Sequence, residues 1–545
     1  MNTGVWADVS LELMRALLII CLWLSVHPGQ AAEPLHKAID RLIAAQAGTQ
    51  PLAGPATDAE FLRRATLDFT GRIPTATAVQ EFLADPAKDK RARLIDRLFA
   101  EPLWAETMAE RFHVMLMERR GNDEHWNGWL KKAFLENKPW DVMVREMIAP
   151  DFKDEAKRGA GYFLTKRLEK YGQNPTDHPG LTRDVGRMFM GVDLQCAQCH
   201  RHLSVKSYKQ LDFQGLFAAY QNLKLQRAND TIKVAWVSEG LMKKGLEYSS
   251  VFSETQKSTG PRVPFGEEIV IPEFPKGEEW LEAPDRTKRF LGTPKFSPIR
   301  EIATRMTVGS NPYFTRNIAN RAWFLMMGCG LVEPLDLAHI QNPASHPELL
   351  DLLAKELAAR QFDLKWLLRE LALTQTYQRS SVLPDGKPAE NLFAAAKERP
   401  IAAEALLRNV LLATGETERV TKLPDEDAHS LAKFEELFQS TFANAPREPE
   451  LAVNATLKAA LFLRNNETLL GLLKRRDGNL VDQLTKLKEP KAIADTVFLN
   501  ILSRPASKAE QAMVQAFLEN SSHHEQALGD LAWALLTSAE FFVNH

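Results

Sequence analysis

Two cysteines three residues apart, followed at once by a histidine, are the residues of this chain best suited to chemistry: Cys196-Ala197-Gln198-Cys199-His200. On one turn of helix the two thiols share a face, about as far apart as the two vinyl groups on one edge of a porphyrin. The imidazole that follows then turns toward the iron. The spacing therefore suits a single haem c, with Cys196 and Cys199 as thioether anchors and His200 as the proximal ligand. Other uses of the same atoms stay open. The thiols can join as a local disulfide with His200 a bystander, or the run can be inert. His200 and His202 can instead hold a divalent metal, although structural zinc sites usually draw ligand pairs from two separated segments. On a helix His202 lies ~200° round from His200, so the two cannot take opposite faces of one iron. In an extended segment both point the same way, which suits a non-haem metal. A second haem ligand would have to come from Met188, Met190, His178, His125, Met242 or Met306, residue types that more often serve as core or surface.

The elements that must position this run read as helices. Thr75 before Ala78-Val79 and Phe82-Leu83 looks like an N-cap and one apolar face. Leu94, Ile95, Leu98 and Phe99 repeat the helical spacing, as do Trp126, Trp129, Leu130 and Phe134. Residues 226–296 change character: IKVAWVSE, EYSSVFSE and EEIVIPEFP, separated by Gly, Pro and Ser, predict a few short strands or an extended linker. From 297 onward the helical pattern returns. The expected fold is mainly α. A helical domain over 33–225 carries the Cys-His run, 226–296 is an irregular segment, and a second helical domain covers 297–545. A weak echo runs through the chain. Leu94, Leu98 and Trp104 are spaced like Leu367, Leu371 and Tyr377 and like Leu531, Leu535 and Phe541, which fits either a duplicated module or the general likeness of amphipathic helices.

Export is predicted at the start of the sequence. Met14-Arg15 precedes the apolar run Ala16 to Val26, and Gly29 and Ala31 are small residues at a cleavage spacing, so 1–31 reads as a signal peptide. The apolar run is shorter than the ~20 residues of a spanning helix. The expected mature chain is periplasmic or extracellular and has no membrane span. Its cysteines are Cys196, Cys199 and Cys329, too few for a disulfide framework. Cys329, in WFLMMGCGL, reads as a packed thiol. With 68 basic and 70 acidic side chains the charge nearly cancels, which argues against a nucleic-acid partner.

The chain resembles a planctomycete-expanded group of secreted proteins that pair a cytochrome-associated domain of unknown function (PSCyt type) with a second domain of unknown function (PSD type). In the first domain the resemblance rests on Phe61-Leu62-Arg63-Arg64, Leu67-Asp68, Thr70-Gly71-Arg72-Ile73-Pro74-Thr75 and Asn137-Lys138-Pro139-Trp140-Asp141. It continues through Gly191-Val192 to the Cys196–His202 run. In the second it rests on Asn311-Pro312-Tyr313-Phe314, Asn320-Arg321-Ala322-Trp323, Gly330-Leu331-Val332-Glu333-Pro334 and Ser345-His346-Pro347-Glu348. The resemblance implies haem-binding company rather than a settled activity. It also implies an acidic residue after His200, where this chain has Arg201.

Other candidates have structural explanations. Arg72 can bind an anion at a helix start, but such an arginine more often pairs with a nearby acid such as Asp68. Ser345 with Glu348 fits a capping box. Trp126, Trp129, Trp140 and Trp323 could stack on sugars, but their spacing suits core packing. No nucleophile elbow, phosphate-cradling glycine loop or His-Glu-x-x-His helix occurs. The expected function is one c-type haem in electron transfer or redox sensing, with an unknown redox partner. The alternatives are a non-catalytic scaffold with a local disulfide and an unfamiliar metal-dependent hydrolase using His200 and His202.

Overall fold

Short polar residues start many of the helices by accepting an orphan backbone N–H. Thr57 accepts from Glu60 at the head of Asp58–Thr70, Thr75 from Ala78 at Ala76–Ala84, and Asp177 from Gly180 at His178–Met190. Each such cap contributes about 1 kcal/mol. The computed structural model describes residues 33–545 apart from 231, 286, 288–290, 384–389, 449–461 and 463–465; the expected signal peptide lies outside the described residues. The protein is mainly helical: 23 α-helices are described, and the sheets are short two-stranded pairs.

Two hydrophobic cores organise the helices. The larger draws on residues from Leu35 to Phe393 and holds Trp104, Trp126, Trp140 and Trp323. These indoles are buried, so the four tryptophans expected as either sugar platform or core include three, Trp126, Trp140 and Trp323, with no exposed face, and Trp129 is buried beside them. The second core runs from Ile401 to Phe541 and takes in Leu67 and Ile73 from the first part of the chain. Val263 and Ile269 join the larger core from within 226–296, Ile232 and Trp236 form a small third cluster with Phe152, and the packing divides near residue 400. The aromatic residues of the echo, Trp104, Tyr377 and Phe541, are each buried after their helix.

The middle segment forms three antiparallel pairs: Leu223–Gln226 with Trp236–Glu239, Leu246–Ser250 with Ser253–Thr259, and Trp280–Glu282 with Thr293–Pro294. EEIVIPEFP, expected as either a short strand or extended linker, makes only an isolated bridge at Glu268. Its two prolines cannot donate to a ladder. A fourth pair joins distant parts of the chain, Arg399–Pro400 with Val543–Asn544.

That last pair sits on the helix Asp58–Thr70, whose inner face carries charge. Asp68 has no solvent-exposed surface on its side chain. It accepts from Arg399 Nη2 at 2.7 Å, Tyr377 Oη at 2.7 Å, Asn544 Nδ2 at 2.9 Å and Arg111 Nη2 at 3.2 Å. Burial alone would push this carboxyl up; Arg399 and Arg111 outweigh it and hold it below the usual range. Arg72, expected to pair with Asp68, does not: the carboxylate faces inward, to Arg111, Tyr377, Arg399 and Asn544. One turn earlier, Arg63 donates to the carbonyls of Ile501 and Phe541, and Arg64 to those of His545 and Arg379. Burial pushes Arg63 down to about 10, still far above neutrality.

Replacing one partner of such a knot leaves the others charged and dry. Asp68→Asn is expected to cost about 3–5 kcal/mol in denaturant unfolding. Arg93→Ala, which removes a surface pair with Asp85, is expected to change stability by under about 1 kcal/mol.

Candidate functional site

The Cys-His run begins where a helix is stopped. His178–Met190 ends at Gly191, φ +67°, a left-handed residue that glycine adopts without strain. A Cβ there would also come within 3.0 Å of Asn317 Oδ1 and 3.2 Å of the Leu335 carbonyl. The chain then runs beside residues 336–338: Asp193 N donates to the Asp336 carbonyl and Ala338 N to that of Gly191, both at 2.9 Å. Asp193 Oδ1 accepts from Gln195 N at 2.8 Å and turns the chain into a single 3-10 turn, Cys196–Gln198. Three donors fix this turn from behind. Gln214 Nε2 reaches the Gln198 carbonyl at 2.8 Å, and Gln210 Nε2 and Val251 N reach that of Cys199, each at 3.1 Å. Ala197 is buried between the thiols. Cys196 and Cys199 are both free and exposed, and Cys329 is partly buried against the core.

The two histidines differ. His200 Nδ1 lies 2.6 Å from the Arg201 carbonyl, which can only accept, so the proton sits on Nδ1 and the Nε2 lone pair is left for a metal. The backbone of Arg201 thus orients the imidazole. His202 Nδ1 instead accepts from Ser204 N at 3.2 Å and Val205 N at 2.9 Å. In its neutral form that ring carries its proton on Nε2 and has no lone pair to spare. Among the described residues no group of three or more His, Cys, Asp or Glu side chains could hold a metal ion.

A porphyrin's needs compare well with this donor set: two free thiols on one turn, and an imidazole with Nε2 available. Exposed apolar side chains lie alongside, among polar ones such as Arg201 and Ser204. Leu203 is 73 % exposed, Val251 67 % and Phe252 71 %, and the Phe252 ring centroid lies 4.9 Å from that of His200. The residues considered as a second iron ligand are placed otherwise. Met188, Met190, Met242 and Met306 are buried, His178 Nε2 donates to the Leu223 carbonyl at 2.8 Å, and His125 is exposed on Glu124–Leu135. At the second candidate locus, Pro347 takes the first helical position, so His346 is the N-cap residue and the expected Ser345–Glu348 capping box does not form. His346 is buried, and burial pushes its imidazole down to about 4.

A second concentration of chemistry escaped the sequence reading. A cavity of about 290 Å³ opens between Asp58–Thr70, Pro102–Met117, His178–Met190, Pro312–Met327 and residues 397–405. At its wall Glu118 takes both Nη atoms of Arg187 at 2.6 and 2.9 Å. Asp336 takes Arg187 at 3.1 Å and also Arg321. Behind them Asp184 is held by Arg167 at 2.7 Å, Arg120 at 2.9 Å and Arg187 at 3.0 Å. Burial raises Asp184, but the three arginines overcome it and hold its carboxyl at about 2. Glu118 and Arg119 are consecutive left-handed residues, φ +46° and +54°. That backbone costs about 1–2 kcal/mol per residue. It is retained here by the Glu118–Arg187 pair and by Arg119 on Glu404 at 2.6 Å. The sequence signal was a charged residue on an apolar helix face, as at Asp68 and Asp184; the partner, tens to hundreds of residues away, has no local signature.

The molecule is therefore a two-core helical protein with a surface thiol–imidazole turn and an arginine-rich interior seam. Two family models match it: PSCyt2, a protein of unknown function (DUF1549), over residues 38–225, and PSD1, a protein of unknown function (DUF1553), over residues 300–443. The chain belongs to the planctomycete-type group that pairs these two domains. No curated protein and no solved structure matches it. Among the described residues no helix is long and apolar enough to cross a membrane.

Two outcomes follow from these geometries. In reduced chain lacking residues 1–31 and made without haem attachment, a thiol reagent should label two cysteines quickly and a third slowly, and Cys196→Ser with Cys199→Ser should remove the fast phase. Because Asp184 titrates lower when folded than the ordinary 3.8, its contribution is present above that pH and lost as pH falls toward about 2. It amounts to about 2 kcal/mol. The stability difference between native protein and Asp184→Asn should shrink over that window in acid unfolding.

Proposed function

We propose that this is an exported protein that carries one haem c and serves in electron transfer or redox sensing, with a redox protein as its partner. The observation that supports it is the pairing of two free, exposed thiols on one turn with an imidazole whose Nδ1 proton is tied to a backbone carbonyl. Cys196 and Cys199 would hold the porphyrin edge, and His200 Nε2 would be the proximal iron ligand. When bound, the group supplies one-electron chemistry. The chain's own residues do the rest. The Arg201 carbonyl keeps the imidazole in the ligating tautomer. Gln210, Gln214 and Val251 hold the turn that carries both sulfurs. Leu203, Val251 and Phe252 offer an apolar border that a flat macrocycle would cover. Export fits, since such attachment is made outside the cytoplasm.

Protein produced with a working haem-attachment system should show a Soret band and a covalent mass increase on the peptide spanning Cys196 to His200. Cys196→Ser with Cys199→Ser should abolish the mass increase, and His200→Ala should keep it while altering the Soret band. Absence of both signals refutes the proposal. A Cys196–Cys199 cystine in their place supports a non-catalytic scaffold. Stoichiometric metal lost on replacing His200 and His202 together would instead support a metal-dependent enzyme.

A further inference from the structure

The cavity at the seam has the makings of a ligand site independent of the Cys-His run. Its wall is largely apolar, with Val114, Met115, Phe324, Leu325 and Ile401 facing the space. Its charges are unevenly matched. Asp68 is one carboxylate between two arginines, Arg111 and Arg399. Glu118, Asp184 and Asp336 face four, Arg120, Arg167, Arg187 and Arg321. Two half-buried wall acids are each matched by one arginine: Glu110 bidentately with Arg408, and Glu404 with Arg119. Lys397 and Glu398, both exposed, offset each other at the mouth. Each buried cluster therefore has one guanidinium more than it has carboxylates.

Arg111 is where that excess meets open space. It lines the cavity, its side chain is 27 % exposed, and it donates only through Nη2, to Asp68 at 3.2 Å and to the Leu67 carbonyl at 3.4 Å. Among the described residues Nη1 and Nε have no protein acceptor. The N–H groups left on Nη1 and Nε diverge about Cδ, and each can give one charge-assisted N–H···O bond to a carboxylate in the cavity. In a small space with apolar walls such a pair is screened little by water.

We propose that the seam cavity binds a small organic carboxylate with an apolar body. Arg111 grips the carboxylate, and the body lies against Met115, Phe324 and Leu325. The left-handed backbone at Glu118 and Arg119 keeps the floor of the site open by turning both side chains onto their ion-pair partners.

Naphthalene carboxylate and its neutral, same-shaped carboxamide are suitable probes, read by calorimetry and thermal shift on the full chain. The carboxylate should bind and raise the melting temperature, and the carboxamide should bind at least about tenfold more weakly. Arg111→Met should lose the distinction between the two. Because Arg111 also touches Asp68, a second variant avoids the charges: Val114→Trp fills the space and should abolish binding of both probes without disturbing the ion pairs. No binding of the carboxylate at millimolar concentration, equal binding of both probes, or undiminished binding by Val114→Trp would each overturn the proposal.

Discussion

A single buried carboxylate joins parts of this chain that sequence keeps far apart. Asp68 accepts hydrogen bonds from Arg111, Tyr377, Arg399 and Asn544, which lie in four separate parts of the chain. A carboxylate stripped of water is tolerable only if the charge is returned by partners at short range, and here two guanidinium groups, a phenol and an amide return it. The constraint works in both directions. Without Asp68 the arginines have no counter-charge. Without Tyr377 and Asn544 the carboxylate has unfilled acceptor sites. Arg63 and Arg64, on the same helix, extend the knot by donating to main-chain carbonyls of 377–379, 501 and 541–545. The fold around Asp58–Thr70 is therefore specified by polar geometry, on top of whatever apolar packing contributes.

Arginines also explain why the interior is not filled. Apolar side chains can close ranks across a gap, whereas paired guanidinium and carboxylate groups must stay near 3 Å and in plane. The Arg187–Glu118 fork and the Arg408–Glu110 fork span the seam as struts of fixed length. The left-handed turn at Glu118 and Arg119 shows the cost of keeping them aligned. Salt bridges of this kind add little net stability over a well-packed apolar replacement, but they set distances, and here the distances enclose a space.

Local chemistry made part of this legible in the sequence. Thr75 caps the helix it was expected to cap, the tryptophans fill the core, and the helical character follows from apolar periodicity. EEIVIPEFP, open in the sequence to a strand or an extended linker, forms no ladder because its prolines remove the donors one needs. The failures have physical causes. Ser345 and Glu348 are spaced as a capping box, but Pro347 sets the helix start one residue later. Asp68 was matched with Arg72 because they are neighbours in sequence; on the folded helix the carboxylate points into the core, where Arg399 comes from 331 residues away. The unpartnered Nη1 and Nε donors of Arg111 could not be read either, since they depend on what the rest of the chain leaves unfilled.

The thiol–imidazole turn is tied to the same seam. Residues 336–338 run between them: Asp336 faces Arg187 and Arg321 in the cavity wall, while its carbonyl receives Asp193 N, and the next residue, Leu337, bridges Val192. Tyr208, packed edge-on to both His202 and His339, donates to the Ala338 carbonyl at 3.1 Å. The first domain contributes the sulfurs and imidazoles, and the second contributes the strip that holds Gly191 to Asp193, the segment leading into their turn. A turn that must present two sulfurs and one ring together cannot rest on its own loop, because a short 3-10 segment has too few internal bonds to be rigid. The turn is thus held from two sides: directly by Gln210, Gln214 and Val251, and through Gly191 and Asp193 by the strip that also walls the seam.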